Sequence, residues 1–148
     1  MGWIENYRRR DSQNASSTQA DPQVLFNQAA RERWRKLGAE LKADVAEFNI
    51  RHEGGASFDQ SGDTVYRVRN SVSGLELTLY ADFDSAVVRY EYEAVNDRTA
   101  GVPEGGMLSI RQSRLGAAEF YSADERLTSE ETRQVLLEPV LFPPQMAA

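Results

Sequence analysis

One long amphipathic pattern, from residue 22 to residue 52, constrains the fold more than any other feature of this sequence. Apolar residues recur there at spacings of three and four, as on one face of an α-helix. They are Phe26, Ala30, Trp34, Leu37, Leu41, Val45 and Phe48. Asp21 is placed to cap the first turn, and Pro22 suits the first helical position. A helix of about 30 residues is about 45 Å long, more than a small sheet covers, so we expect part of its apolar face to meet a partner.

The pattern stops at a stretch that contains His52, the only histidine in the chain. Two glycines, Gly54 and Gly55, follow it closely. A glycine just past a helix end adopts the left-handed conformation that satisfies the last carbonyls, and a histidine suits the negative end of the helix dipole. A catalytic histidine needs a nucleophile or a metal partner, and the neighbouring sequence offers neither. We therefore interpret this stretch as the end of a helix.

From residue 56 the hydrophobic period changes from 3.6 to 2, which is the period of β-strands. Six segments follow this pattern: ASFDQ, TVYRVRN, LELTLYAD, AVVRYEYEA, MLSIRQS and AAEFYS. Most of the turns between them are short, and short turns make consecutive strands antiparallel neighbours. The sequence predicts a meander sheet with one apolar face under the helix and one charged face in water.

A second, shorter helix is predicted after the strands. Thr128 and Glu131 have the spacing of a capping box, and Pro139 is expected to break this helix near its C-terminal end. The fold class is therefore α+β, with a long N-terminal helix packed on a five- to six-stranded antiparallel meander sheet and a short C-terminal helix. Residues 1–21 are polar and aperiodic, so we interpret them as a flexible N-terminal arm that precedes a single α+β domain of residues 22–148.

The composition argues against several kinds of chemistry. The chain has no cysteine, which excludes thiol catalysis, cysteine zinc sites and disulfides. No phosphate-binding glycine loop, nucleophile elbow or calcium loop occurs, so we predict no catalytic residue, no metal site and no cofactor. Residues 53–148 carry sixteen acidic and eight basic side chains, and a net charge of −8 argues against nucleic-acid binding. Without an apolar run of about 18 residues or a secretory signal pattern, we expect no membrane insertion and a cytoplasmic location.

These observations favour a non-enzymatic protein-interaction or assembly module. Its partner is expected to be another protein or a second copy of the chain, with a homodimer favoured. The candidate partner-binding residues are apolar side chains in the N-terminal arm, at the start of the long helix and in the C-terminal tail. They are Trp3, Ile4, Tyr7, Phe26, Val140, Leu141 and Phe142.

The alternative hypothesis is a small-ligand-binding domain or an enzyme with a pocket between helix and sheet. Trp34, Tyr90 and Tyr92 would line that pocket, because aromatic rings with polar tips suit such cavities. The longest connection between strands is a further candidate recognition element, since long loops in small domains often carry function. Its rim would be formed by Asn96, Asp97, Arg98 and Glu104.

Overall fold

The computed structural model describes residues 21–52, 54–95, 101–113 and 117–143. The elements in chain order are α1 (Pro22–Arg51), β1 (Ala56–Ser61), β2 (Val65–Asn70), β3 (Leu75–Asp82), β4 (Val87–Ala94), β5 (Gly106–Gln112), β6 (Ala118–Ser122), β7 (Glu125–Arg126) and α2 (Ser129–Leu141). All the described strands form one antiparallel sheet in sequence order. The predicted α+β class and meander are confirmed, but the sheet has seven strands rather than five or six.

The strand that the sequence analysis missed is β7. Its two residues, Glu125 and Arg126, have no hydrophobic alternation, so no periodic signal marks them. Contacts with β6 hold the strand in place. The Leu127 N–H donates to the Phe120 carbonyl at 2.9 Å, and the Arg126 guanidinium lies 3.2 Å from the Glu119 carboxylate. β7 is therefore defined by its pairing with β6 and not by its own sequence pattern.

Both helices begin at capping residues that are recognisable in the sequence. The Asp21 carboxylate accepts a hydrogen bond from the Gln23 N–H at 2.9 Å. Thr128 and Glu131 make the predicted capping box. The Thr128 hydroxyl accepts from the Glu131 N–H at 3.0 Å, and the Glu131 carboxylate accepts from the Thr128 N–H at 2.8 Å. These bonds satisfy backbone N–H groups that have no partner inside the helix.

The C-terminal end of α1 also lies where local sequence indicates. His52 is the capping residue, and its N–H donates to the Phe48 carbonyl at 2.8 Å. Gly54 and Gly55 follow with φ angles of +86° and +99°, a region that favours glycine because it has no Cβ. The interpretation of this stretch as a helix end is confirmed.

The apolar residues of α1 and of the sheet meet in one core, as the predicted periods require. From α1 it contains Ala30, Trp34, Leu37, Leu41, Val45 and Phe48, and from the strands Val68, Leu75, Leu77, Leu79, Val88, Tyr92, Leu108, Ile110 and Phe120. The register of β3 agrees with the predicted alternation, because Leu75, Leu77 and Leu79 are all buried. A shift of one residue would have turned every one of these side chains to the other face.

The predicted helix break at Pro139 is wrong, since α2 continues through this residue to Leu141. Proline has no N–H, so the carbonyl of Val135, four residues earlier, loses its helical donor. The Tyr92 hydroxyl, which comes from β4, lies 3.4 Å from that oxygen and donates to the Leu136 carbonyl at 2.7 Å. A hydroxyl from the sheet therefore lies at the turn of α2 where proline removes one backbone donor, with its short bond to the neighbouring Leu136 carbonyl.

The C-terminal end of α2 is held by the turn between β2 and β3. The Asn70 amide and the Ser73 hydroxyl donate to the Val140 carbonyl at 3.1 and 2.8 Å. Val140 and Leu141 are buried in this chain's own core, whereas Phe142 is exposed. Of the three tail residues predicted to meet a partner, only Phe142 therefore presents its side chain to solvent in this structure.

Candidate functional site

The two helices lie side by side and run in the same direction. At the start of α2, the Ser129 hydroxyl accepts a hydrogen bond at 3.0 Å from the guanidinium of Arg33, in the first half of α1. At their ends, the Phe48 and Phe142 rings meet edge to face with their centroids 5.3 Å apart. Both helix C-termini therefore lie at the same end of the molecule, and each is the negative end of a helix dipole.

A network of four charged side chains joins the helices between these two points. Arg133 on α2 lies 3.3 Å from the Glu40 carboxylate and 2.9 Å from the Asp44 carboxylate, both on α1. The Arg33 guanidinium lies 3.6 Å from the Glu40 carboxylate, which is too far for a hydrogen bond. The two groups therefore form an ion pair without a hydrogen bond. Burial raises the pKa of Asp44 and lowers the pKa of Arg33, because the helix interface removes water from both. The network ties α2 to one position along α1.

Beyond this network the helices leave an open groove of about 390 Å³, which we call the interhelical groove. Its apolar lining comes from Phe142, which is largely exposed, and from the small exposed parts of Phe48, Leu137 and Leu141, which are otherwise buried. One end of it is aromatic. The His52 imidazole stacks on the Phe48 ring at 4.7 Å and meets the Phe142 ring edge-on at 5.3 Å. Phe142 is 54% exposed, so this aromatic end is open to water.

The rim of the interhelical groove is predominantly acidic. Its charged residues are Asp44, Glu47 and Arg51 from α1, and Glu130, Arg133 and Glu138 from α2. Both arginines are already engaged, Arg51 with Glu47 at 3.7 Å and Arg133 in the interhelical network. Within the described residues, no ion pair includes Glu130 or Glu138. The last turn of α2 also has no basic residue, so this side of the groove attracts positive charge.

His52 has no recognisable catalytic partner in the groove. A histidine base needs a nucleophile within hydrogen-bond reach, and the residues that line the groove include no serine, threonine or cysteine. Across the four described ranges, no three histidine, aspartate or glutamate side chains are grouped so that they could hold a metal ion. The contacts of the His52 imidazole are with the aromatic rings of Phe48 and Phe142.

The aromatic residues predicted for a pocket between helix and sheet do not come together. The Trp34 indole stacks on the Tyr66 ring at 4.1 Å, and its Nε1 donates to the Asp63 carbonyl at 2.8 Å. Tyr90 and Tyr92 instead meet each other edge-on at 6.1 Å, and the Tyr92 hydroxyl bonds to α2. Among the described residues, no ring contact joins Trp34 to either tyrosine.

The remaining candidates are scattered. Phe26 is half-buried against the core, and Glu104 is exposed in the segment before β5. Trp3, Ile4, Tyr7, Asn96, Asp97 and Arg98 lie outside the described residues. Sequence reasoning missed the rim acids Glu130 and Glu138. Their only sequence signal is that they are eight residues apart on a predicted helix, and this does not say which face of α2 borders α1.

The face of the sheet opposite the core offers a second depression, of about 400 Å³, lined by Ser57, Asp59, Arg67, Arg69 and Glu76. Its charges are balanced, with two arginines and two carboxylates. Arg69 and Glu76 are paired at 3.1 Å across adjacent strands. This is the charged face that the strand alternation predicts for solvent. It lacks both the apolar lining and the uncompensated charge of the interhelical groove.

Comparison with models of protein families, with curated proteins and with solved structures finds no match for this chain. In the part of the chain that the structure describes, neither helix has the length and apolar character needed to cross a membrane.

Proposed function

We propose that this protein is a non-enzymatic protein-interaction module and that the interhelical groove is its binding surface. The observation that carries the proposal is the solvent-exposed pair of rings of His52 and Phe142. These rings lie at one end of the groove, next to its apolar lining and its acidic rim. Glu130 and Glu138 on this rim make no ion pair within the described residues. A polypeptide segment with both apolar and basic side chains would match the lining and the rim together.

The shape of the groove also favours a polypeptide over a compact small molecule. The site is an open trough between two parallel helices, and its lining mixes leucine, phenylalanine and charged residues. Amphipathic segments lay their apolar residues along such troughs and keep their charged residues at the rim. Exposed aromatic side chains at one end, such as Phe142, are typical anchors of protein interfaces.

The alternative, a small-ligand site between helix and sheet, has weaker support. Trp34 and Tyr92 are 1% and 7% exposed, and their polar atoms already bond to backbone carbonyls. The depression beside Trp34 has a volume of about 150 Å³. Ligand pockets usually measure about 300–1,000 Å³, so this space is small for one.

The proposal is tested with two fluorescein-labelled octapeptides, one of alternating arginine and leucine and one of alternating glutamate and leucine. We expect fluorescence anisotropy to show binding of the first peptide and not of the second. The double variant Glu130→Lys/Glu138→Lys should weaken binding by at least about tenfold, which is about 1.4 kcal/mol. The control Glu125→Lys, in β7 and outside the groove, should leave binding nearly unchanged. Equal binding of both peptides, or no response to the double variant, would contradict the proposal.

A further inference from the structure

We infer that the occupant of the interhelical groove is the stretch Trp3–Arg10 of a second copy of this chain. This inference rests on the proposed function and names the partner for that same groove. It is carried by three features: the composition of this stretch, the uncompensated acids on the rim of the groove, and the length of chain that separates the two.

The composition of Trp3–Arg10 matches the two requirements of the groove. The stretch contains the apolar side chains Trp3, Ile4 and Tyr7, followed directly by three arginines. It is the only place in the sequence with three consecutive basic residues. Apolar and aromatic side chains suit the leucine and phenylalanine lining of the groove, and arginine guanidinium groups pair with carboxylates and stack on aromatic rings.

The net charge of the stretch is opposite in sign to that of the groove rim. The stretch carries one glutamate and three arginines, for a net charge of +2. The groove offers Glu130 and Glu138, which are absent from every ion pair that the described residues form. It also ends at the C-termini of two parallel helices, of which α2 has no basic residue in its last turn. A basic segment would therefore bring compensating charge to this end of the molecule.

Chain length favours a second copy over the same chain. Asp21 stands at the start of α1, and Phe48, at the aromatic end of the groove, lies about 40 Å further along the helix. For the fourteen residue-to-residue steps from Tyr7 to Asp21, random-coil statistics give a mean end-to-end distance of about 20 Å. Docking on its own groove would stretch this connection to about twice that distance, at a cost in entropy. Reciprocal exchange between two copies forms two equivalent contacts and suits the two-fold symmetry of most homodimers.

The test is a charge exchange between two variants of the full chain, followed by sedimentation velocity at micromolar concentrations. The first variant reverses the arm (Arg8→Glu/Arg9→Glu/Arg10→Glu), and the second reverses the groove (Glu130→Lys/Glu138→Lys). We expect the unmodified chain to show twice the monomer mass of 16.6 kDa. Each variant alone should sediment as a monomer, and an equimolar mixture should recover the dimer. Lys36→Glu, an exposed charge reversal on α1 at a residue that does not line the groove, should leave the dimer intact.

Two results would overturn the inference. One is a dimer that both variants retain. The other is an unmodified chain that stays at 16.6 kDa at every concentration. Such a monomeric chain could also bind the arginine–leucine octapeptide less tightly than the arm variant does. That case would mean that the stretch covers the groove of its own chain. Binding of the octapeptide to the arm variant separates the two proposals, because its failure there overturns the proposed function itself. Circular dichroism spectra equal to that of the unmodified chain would show that both variants are folded.

Discussion

The phenol ring of Tyr66 in β2 lies face to face with the indole ring of Trp34 in α1, with centroids 4.1 Å apart and planes 13° from parallel. The Tyr66 hydroxyl also donates to the Trp34 carbonyl at 3.1 Å, and both side chains are buried. The end of the Tyr66 ring covers Gly38, one turn further along the helix. A Cβ built on Gly38 would lie 2.5 Å from the Tyr66 ring, so this contact requires a glycine.

The first prediction follows from that contact. Gly38→Ala should destabilise the protein by about 1–3 kcal/mol, because the added methyl group overpacks a ring that cannot move. Helix propensity alone predicts the opposite, a gain of about 1 kcal/mol. Urea unfolding measures the difference. Ala39→Gly, at the exposed neighbouring position, is the matched control for propensity and should cost about 1 kcal/mol. A Gly38→Ala protein more stable than the original would show that the ring does not lie over this position.

The second prediction concerns stability at alkaline pH. Burial raises the pKa of Tyr66 to about 12. In the unfolded chain a tyrosine titrates near pH 10, so the folded state holds this proton more tightly. The stability that follows is fully present below about pH 10 and is lost as the pH rises towards about 12. We therefore expect the free energy of unfolding to fall over this interval, and Tyr66→Phe to make the fall smaller. Urea unfolding along a pH series measures it, with the exposed-site variant Tyr80→Phe as control. An identical fall in Tyr66→Phe and the unmodified chain would contradict the assignment.

The third prediction separates two kinds of ion pair. Arg133 contacts Glu40 and Asp44 between the helices, where its side chain is 25% exposed. Arg133→Gln should cost about 1–3 kcal/mol, less than for a fully buried pair because water still screens the site. Arg51 pairs with Glu47 on the surface of α1, where both side chains are more than 60% exposed. Arg51→Gln should therefore cost no more than about 0.5 kcal/mol. Chemical denaturation of both variants checks the ranking, and equal costs would mean that the network does not hold α2.

The fourth prediction concerns the hydroxyl that supports the proline in α2. Tyr92→Phe removes a hydroxyl that donates to the Leu136 carbonyl and lies 3.4 Å from the Val135 carbonyl, and this loss should cost about 1–2 kcal/mol. Pro139→Ala restores a backbone N–H for the Val135 carbonyl, so the same loss should cost less in that background. A double-mutant cycle of unfolding free energies measures the coupling. Zero coupling would mean that the hydroxyl does not compensate for the proline.

The fifth prediction tests the register of the sheet at its centre. Leu77→Ala should cost about 2–5 kcal/mol, because Leu77 is fully buried and the change leaves a cavity. Glu76→Ala, one residue earlier on the opposite face, removes a pair with Arg69 and should cost less than about 1 kcal/mol. Thermal or urea unfolding of the two variants gives the ranking. The reverse order would require a sheet shifted by one residue.

Local sequence signals define the two helices, six of the seven described strands and the faces that these elements bury. Asp21, the Thr128–Glu131 capping box and the glycines after His52 mark helix ends because their effects act within one helical turn. The periods of 3.6 and 2 assigned the core faces because each depends only on the geometry of its own helix or strand. Short turns between alternating segments then required an antiparallel meander.

Features that depend on contact between distant segments have no such local signal. α2 continues through Pro139, and the Tyr92 hydroxyl from β4 lies beside the carbonyl that this proline leaves without a helical donor. β7 forms on β6 without any periodic signal of its own. Trp34 lies apart from Tyr90 and Tyr92, although all three have core spacing. The interhelical groove depends on two helices that run in the same direction, separated in sequence by the whole sheet. No spacing within either helix encodes that relationship, since it arises only when the sheet brings the two helices side by side.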